Sequence, residues 1–359
     1  MTERKRIRSW LTVPGNYEPG PRNAITDVGG VKVGHFTIHD GGIHTGITLI
    51  QPHDLDAYQY PAPCAVYAGN GFGKLAGSLQ VEELGVLESM IGLTNTLSVP
   101  MLMQGLIEYY LETNKDITSI NVLVGETNDS LLSEIGKLPV KSAHVREAIK
   151  DLSVEVVEGA VGAGAGTCCF GYKGGIGTAS RLVRMEFPDG EQMNVVPANH
   201  IATYTIGALV QTNFSGNLNI YGYPVPSEQC SRGTSEMARD GSCMIVIATN
   251  APVDARQLKR IAKRGIAGMA QTGSYLANGS GDFCIAFSNY RDNITARNNQ
   301  MLKTVTVLPD ERLNPLFEAA CEAVREAIYN SLTMADSVVG SGGRHLRAID
   351  MAEVIKGIP

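Results

Sequence analysis

The sequence has no apolar run approaching the roughly 20 residues that a membrane-spanning helix requires. A bilayer is therefore not an expected partner. An excess of positive charge is missing too: 30 Lys and Arg stand against 36 Asp and Glu, a formal net charge of −6 over 359 residues. That balance argues against nucleic acid or an anionic surface as a partner. The seven cysteines never form a CxxC pair, and the seven histidines never form an HExxH pattern, so no zinc or redox motif is present. Reduced, buried thiols in a cytoplasmic protein are the expectation. His35, His39 and His44 are the one group whose spacing could bring imidazoles together on strands. The basic segment 1–10 leads into polar sequence rather than the apolar stretch of a secretory signal.

Glycine is what the chain has in abundance. Its 40 glycines are about 11% of the residues against a usual 7% or so. They gather at 159–177, 69–73 and 279–281. Between such clusters short apolar segments read as strands: 31–33, 45–50, 65–68, 120–124, 182–185, 204–211, 244–248 and 283–287. Helical periodicity marks 92–111, 145–151, 253–270 and 313–332. Residues 1–23 are extended by their Pro and Gly content, and 215–241 read as a polar surface loop. Strands and helices come in groups rather than in strict alternation. That favours packed sheets covered by helices over a doubly wound parallel sheet. No internal repeat or two-domain boundary is visible.

One junction stands out chemically. At Asp240, Gly241, Ser242 and Cys243 a polar loop ends and the most apolar strand of the chain begins. A serine there is both rigid and accessible. Gly241 has no Cβ to shield its carbonyl from the residue that follows. Attack by the Ser242 hydroxyl on that carbonyl gives an ester, and hydrolysis frees a serine with its own α-amine. That amine, with an ordinary pKa near 8, can serve as base for the hydroxyl beside it. Taken alone, a Gly-Ser dipeptide is a turn, and the surrounding blocks are what give the junction weight.

Those blocks run in order along the chain: 23–35, 42–48, 69–74 (Gly-Asn-Gly-Phe-Gly-Lys), 93–96, 125–129 (Gly-Glu-Thr-Asn-Asp), 169–181, 240–252 and 279–288. Through them the chain, from Asn23 to about Gly343, resembles the L-aminopeptidase/D-Ala-esterase/amidase family. That family includes the β-peptidyl aminopeptidases and consists of self-processing hydrolases of the N-terminal-nucleophile type. The resemblance implies a four-layer α/β/β/α sandwich with the nucleophile at the start of a central β-strand. It implies one self-processing domain cut at Gly241–Ser242 into an α-subunit, 1–241, and a β-subunit, 242–359, assembled as a tetramer of such heterodimers.

The family's roles map onto this sequence as follows. Ser242 matches the processed nucleophile. Ser280 and Asp282, two residues apart on an extended segment and so facing one way, match the hydroxyl and carboxylate that orient it. Asn213 matches the oxyanion-hole amide. Glu126 matches the acid that pairs with the substrate's free amine, and Asn128 stands beside it in the substrate pocket. No cofactor is implied. The substrate class is a short peptide, an amino-acid amide or an ester, with aminoacyl transfer or a processing-dead binding homologue as alternatives. Departures from the family pattern at Asn128, Ser130, Leu131, Asn250 and Gln271 leave the preference among L-α-, D- and β-amino acids open. A phosphate-binding reading of 159–177 fits neither a Walker nor a Rossmann spacing. Close backbone packing accounts better for its glycines.

Overall fold

A computed structural model describes residues 4–187, 200–225, 241–297 and 302–357. Asp240, Cys230 and most of the 215–241 segment lie outside them.

The first strands form a hairpin, β1 (Lys32–Asp40) and β2 (Ile43–Gln51), followed by β3 (Ala62–Gly71) and the short β4 (Leu75–Ala76). Helix α1 (Ser78–Leu84) leads to β5 (Val86–Leu87), β6 (Ile91–Asn95), helix α2 (Val99–Thr113), β7 (Leu123–Thr127) and helix α3 (His144–Lys150). A small hairpin, β8 (Cys168–Cys169) and β9 (Tyr172–Lys173), precedes the long pair β10 (Ile176–Phe187) and β11 (His200–Asn213). After the minor hairpin β12 (Asn219–Ile220) and β13 (Tyr223–Pro224) come β14 (Ser242–Thr249), helix α4 (Ala255–Ala270), β15 (Gly281–Ser288) and helix α5 (Asn314–Thr333).

Apart from short two-stranded hairpins, the strands build two sheets. One runs β1-β2-β6-β7-β4 and the other β10-β11-β14-β15-β3-β5. Three apolar cores separate four layers. Leu102, Leu106 and Val145 from α2 and α3 pack on Ile47, Leu49 and Val124 of the first sheet. Between the sheets, Ile50, Leu93 and Leu123 meet Leu209, Met244, Val246, Ile285 and Phe287. On the far side Ile261, Met269, Val324 and Ile328 of α4 and α5 cover Cys243, Ile245 and Ile247. The expected α/β/β/α sandwich is what forms. Strand β14 explains its own sequence, because alternate side chains enter different cores and every position is buried. A strand covered on both faces reads as one apolar run rather than an alternation.

Three expectations fail in detail. The strand read at 120–124 forms only from Leu123, and the described part of the 215–241 loop carries the β12–β13 hairpin. Residues 92–95 belong to β6 rather than to a helix, and the helix begins at Val99, with Pro100 in its first turn. Gly92 abuts Leu102 and Leu106 of that helix, so apolar positions on two elements mimicked one helical face. In the glycine-rich 159–177 segment a Cβ on Gly175 would stand 2.2 Å from the Gly159 carbonyl oxygen. One on Gly177 would stand 2.0 Å from the Ala327 oxygen of α5. The glycines there permit backbone contact.

Candidate active site

Ser242 is the first residue of β14 and is buried. It pairs with Asn213 at the end of antiparallel β11 and with Gly281 at the start of parallel β15. The hydroxyl of Ser242 donates to the carbonyl oxygen of Gly241 at 2.7 Å, and the amide of Gly281 donates to the same oxygen at 3.1 Å. The peptide carbonyl before the serine is thus both polarised and touched by the candidate nucleophile. Gly241 itself lies against the chain, where a Cβ would be 2.4 Å from Cα of Phe214. Any larger residue would push that carbonyl away.

Ser280 and Asp282 bracket the residue opposite Ser242. The Ser280 hydroxyl donates to Asp282 Oδ1 at 2.8 Å, and both side chains are buried. Among the described residues Asp282 Oδ2 has no hydrogen-bond partner. Burial raises the Asp282 carboxyl to about 6, with Ser280 and the Cys243 backbone amide pulling the other way. The Ser242 hydroxyl is engaged with Gly241 rather than with either of them.

Asn213 has its amide gripped at both ends. Its Oδ1 accepts from the Cys168 backbone amide at 2.9 Å, and its Nδ2 donates to the Asn128 carbonyl at 2.9 Å. One N–H of the amide remains for another acceptor. Asn128 therefore enters the site through its backbone, while its side chain is exposed and accepts from the Ser130 amide.

Glu126 reaches the site because the two sheets approach closely just before it. A Cβ on Gly125 would lie 2.6 Å from Met244 Sδ, two residues beyond Ser242. Glu126 is only 3% exposed, not the solvated surface acid its polarity alone would suggest. Its Oε1 accepts from the Lys74 backbone amide at 3.0 Å and lies 3.3 Å from the Lys74 ammonium. Lys74 also bonds the Thr96 hydroxyl at 2.7 Å. Lys74 was visible as the end of a glycine-rich block, but its pairing with Glu126 was not. The carboxylate already binds one primary ammonium in the folded chain.

The three histidines do not converge. His35 bonds the Thr48 hydroxyl at 2.9 Å, while His39 and His44 face each other, Nδ1 to Nδ1, at 2.9 Å. Among the described residues no cluster of three or more His, Cys, Asp or Glu could hold a metal ion. Six of the cysteines are free thiols, and Cys230 lies outside the described residues. No helix among those residues is long and apolar enough to cross a membrane.

The four-layer sandwich thus sets a serine at the mouth of a buried central strand, with an amide opposite it and an acid on the facing sheet. The chain belongs to peptidase family S58, whose model matches residues 23–346. It is 36% identical over 374 aligned residues to the β-peptidyl aminopeptidase BapA of Sphingosinicella microcystinivorans, an alignment covering 96% of this chain and 89% of that one. A crystal structure of a Pyrococcus horikoshii protein superposes with a TM-score of 0.88 at 40% identity, covering 98% of both chains. The L-aminopeptidase D-Ala-esterase/amidase of Ochrobactrum anthropi, described as a prototype serine aminopeptidase with a variant Ntn-hydrolase fold, superposes with a TM-score of 0.85 at 31% identity. That match also covers 98% of both chains.

Proposed function

We propose that this chain is a self-cleaving serine aminopeptidase, with Ser242 as nucleophile both in its own processing and in turnover. The observation that carries the reading is the contact of the Ser242 hydroxyl with the Gly241 carbonyl, in a site where Gly281 polarises that carbonyl. In processing, Ser242 Oγ adds to the Gly241 carbonyl carbon, the C–N bond breaks, and an ester with a free Ser242 amine results. Water then releases a Gly241 carboxylate. In turnover the same oxygen attacks the first carbonyl of a short peptide, amide or ester. The α-amine of Ser242 takes the proton, and the free N–H of Asn213 meets the oxyanion. The amine or alcohol leaves with that proton, and water hydrolyses the resulting acyl-Ser242 ester to release the amino acid.

Glu126 holds the substrate's ammonium. The support is that Lys74 already places an ammonium on that carboxylate, so a substrate amine displaces or adjoins it. The Ser280–Asp282 pair orients the nucleophile's end of β14. The cut leaves residues 1–241 and 242–359 packed together, and the relatives' names favour β- or α-amino acids at the substrate's N-terminus. A tetramer of such heterodimers in the cytoplasm completes the proposal. Intact mass and N-terminal sequencing test it: two fragments are expected, the smaller beginning at Ser242, and a fully active uncut chain would overturn it. With catalysis assigned to side chains and backbone, chelators are expected to leave activity unchanged; a loss restored by one metal would displace this mechanism.

A further inference from the structure

Lys173 has no solvent exposure, yet among the described residues its ammonium meets no carboxylate directly. It donates to two backbone carbonyls, of Gly164 at 2.9 Å and of Gly174 at 2.7 Å. Asp129 is equally buried, and neither of its oxygens receives a hydrogen bond of regular geometry, although the Thr45 hydroxyl stands beside it. The two charges act on each other. Burial pushes Lys173 down to about 7 and Asp129 up to about 7, and each is drawn back in part by the other. Both touch one segment. Lys173 is bonded to Gly164 and Gly174, and a Cβ on Gly166 would stand 3.1 Å from Cβ of Asp129.

Each group that grips the Asn213 amide is joined to one member of this pair. Cys168, whose backbone amide donates to Asn213 Oδ1, faces Lys173 across the β8–β9 hairpin. Asn128, whose carbonyl accepts from Asn213 Nδ2, immediately precedes Asp129. Displacing either charge moves one end of the amide. An apolar pair would hold the fold as well, because buried ion pairs add little net stability. What opposite charges add is direction: they draw the 164–175 segment and the turn after β7 together, with Asn213 between them.

We propose that Lys173 and Asp129 are positioning residues for the oxyanion donor, fixing the plane of the Asn213 amide so that its free N–H points at the reacting carbonyl. This deepens the reading of Asn213 above and rests on it.

A double-mutant cycle on a chromogenic amino-acid anilide tests the proposal, using wild type, Lys173→Met, Asn213→Ala and the combined variant. In all four a protease site engineered before Ser242 releases the nucleophile, and kcat is expressed per processed chain. Lys173→Met is expected to lower kcat by roughly 10- to 100-fold with KM within about twofold. In the Asn213→Ala background the same change should cost less than about threefold, because there is no longer a donor to misplace. Equal losses in both backgrounds would overturn the proposal and leave Lys173 a structural residue. Asp129→Asn, which keeps the volume, gives a second cycle if Lys173→Met does not fold, with the same non-additivity expected. Activity surviving in Ser242→Ala would sink the catalytic reading itself, whatever the cycle shows. A dead Ser242→Ala with an additive cycle would sink only the role of the pair.

Discussion

Two of the buried groups of charges among the described residues are built on different terms. On the helix side of the second sheet, Arg181 reaches Glu322 at 2.8 Å and Glu326 at 2.7 Å, and its remaining donor group goes to the Ser180 carbonyl. Glu326 also takes two bonds from Arg8 and one from Asn23, while Glu322 takes the Asn16 amide. Burial would raise the Glu326 carboxyl, but Arg8, Arg181 and Asn23 hold it below the ordinary range. At the active site the terms reverse. Asp282 has one oxygen unpartnered, Asp129 has no regular hydrogen bond, and burial wins in both, to about 6 and about 7. Saturated charges hold a structure in place. Under-satisfied ones retain the capacity to respond to a proton or a substrate.

The contrast can be broken experimentally, and the largest effect should come at Ser242, the proposed nucleophile. Ser242→Ala is expected to leave a single intact chain with no measurable peptidase activity and little change in melting temperature, checked by intact mass, turnover and calorimetry. In the saturated cluster Arg181→Met should do the opposite. It takes the buried Arg181 partner from two carboxylates, leaving Glu326 to Arg8 and Asn23 and Glu322 to the Asn16 amide. The change is expected to cost about 3–5 kcal/mol of stability in denaturant unfolding, while kcat of the folded fraction stays near wild type. A large kcat loss there, at constant KM, would erase the distinction.

Glu126→Gln sharpens the contrast within the site. A charge-assisted contact contributes about 1.5–3 kcal/mol, so kcat/KM on free-amine substrates should fall roughly ten- to a hundredfold. Self-cleavage should continue, since Gly241 presents no ammonium. An N-acetylated substrate hydrolysed as fast as the free amine would remove Glu126 from that role.

The smallest effect concerns pH. Only a neutral α-amine on Ser242 accepts a proton, so activity should rise with pH through that amine's apparent pKa, ordinarily about 7.7–8.0. Asp282, raised to about 6 by burial, is ionised over that limb and favours the ammonium. Asp282→Asn should therefore shift the ascending limb to lower pH by a fraction of a unit to one unit. An unmoved limb in the processed variant would take the carboxylate out of the amine's surroundings.

What the sequence disclosed, and what it hid, divides along the same line. Strand β14 was legible because a strand buried on both faces carries an unbroken apolar run. Ser280 and Asp282 were singled out by the family resemblance, with which the shared facing of two residues on extended chain agrees. Lys74, Asp129 and Lys173 were not, since a charged residue beside glycines reads as solvated surface. Their burial depends on where the other sheet and the 164–175 segment pack. The pairing of β3 with β15, joining residues about 200 positions apart, leaves no local trace. Nor does the switch from strand to helix between Asn95 and Val99, where leucines of α2 repeat the period of the residues they pack against.

The order of the second sheet has a consequence for the life of the protein. Strands β14 and β15 lie between β11 and β3, so a break before Ser242 leaves the two innermost strands on one polypeptide and their outer neighbours on the other. The pieces are dovetailed rather than docked. Each would present a long, apolar, unpaired strand edge if made alone, a template for aggregation. Under the proposed cut, the order of the sheet requires the molecule to be made as one chain first. Fragments synthesised from two separate messages should precipitate instead of assembling.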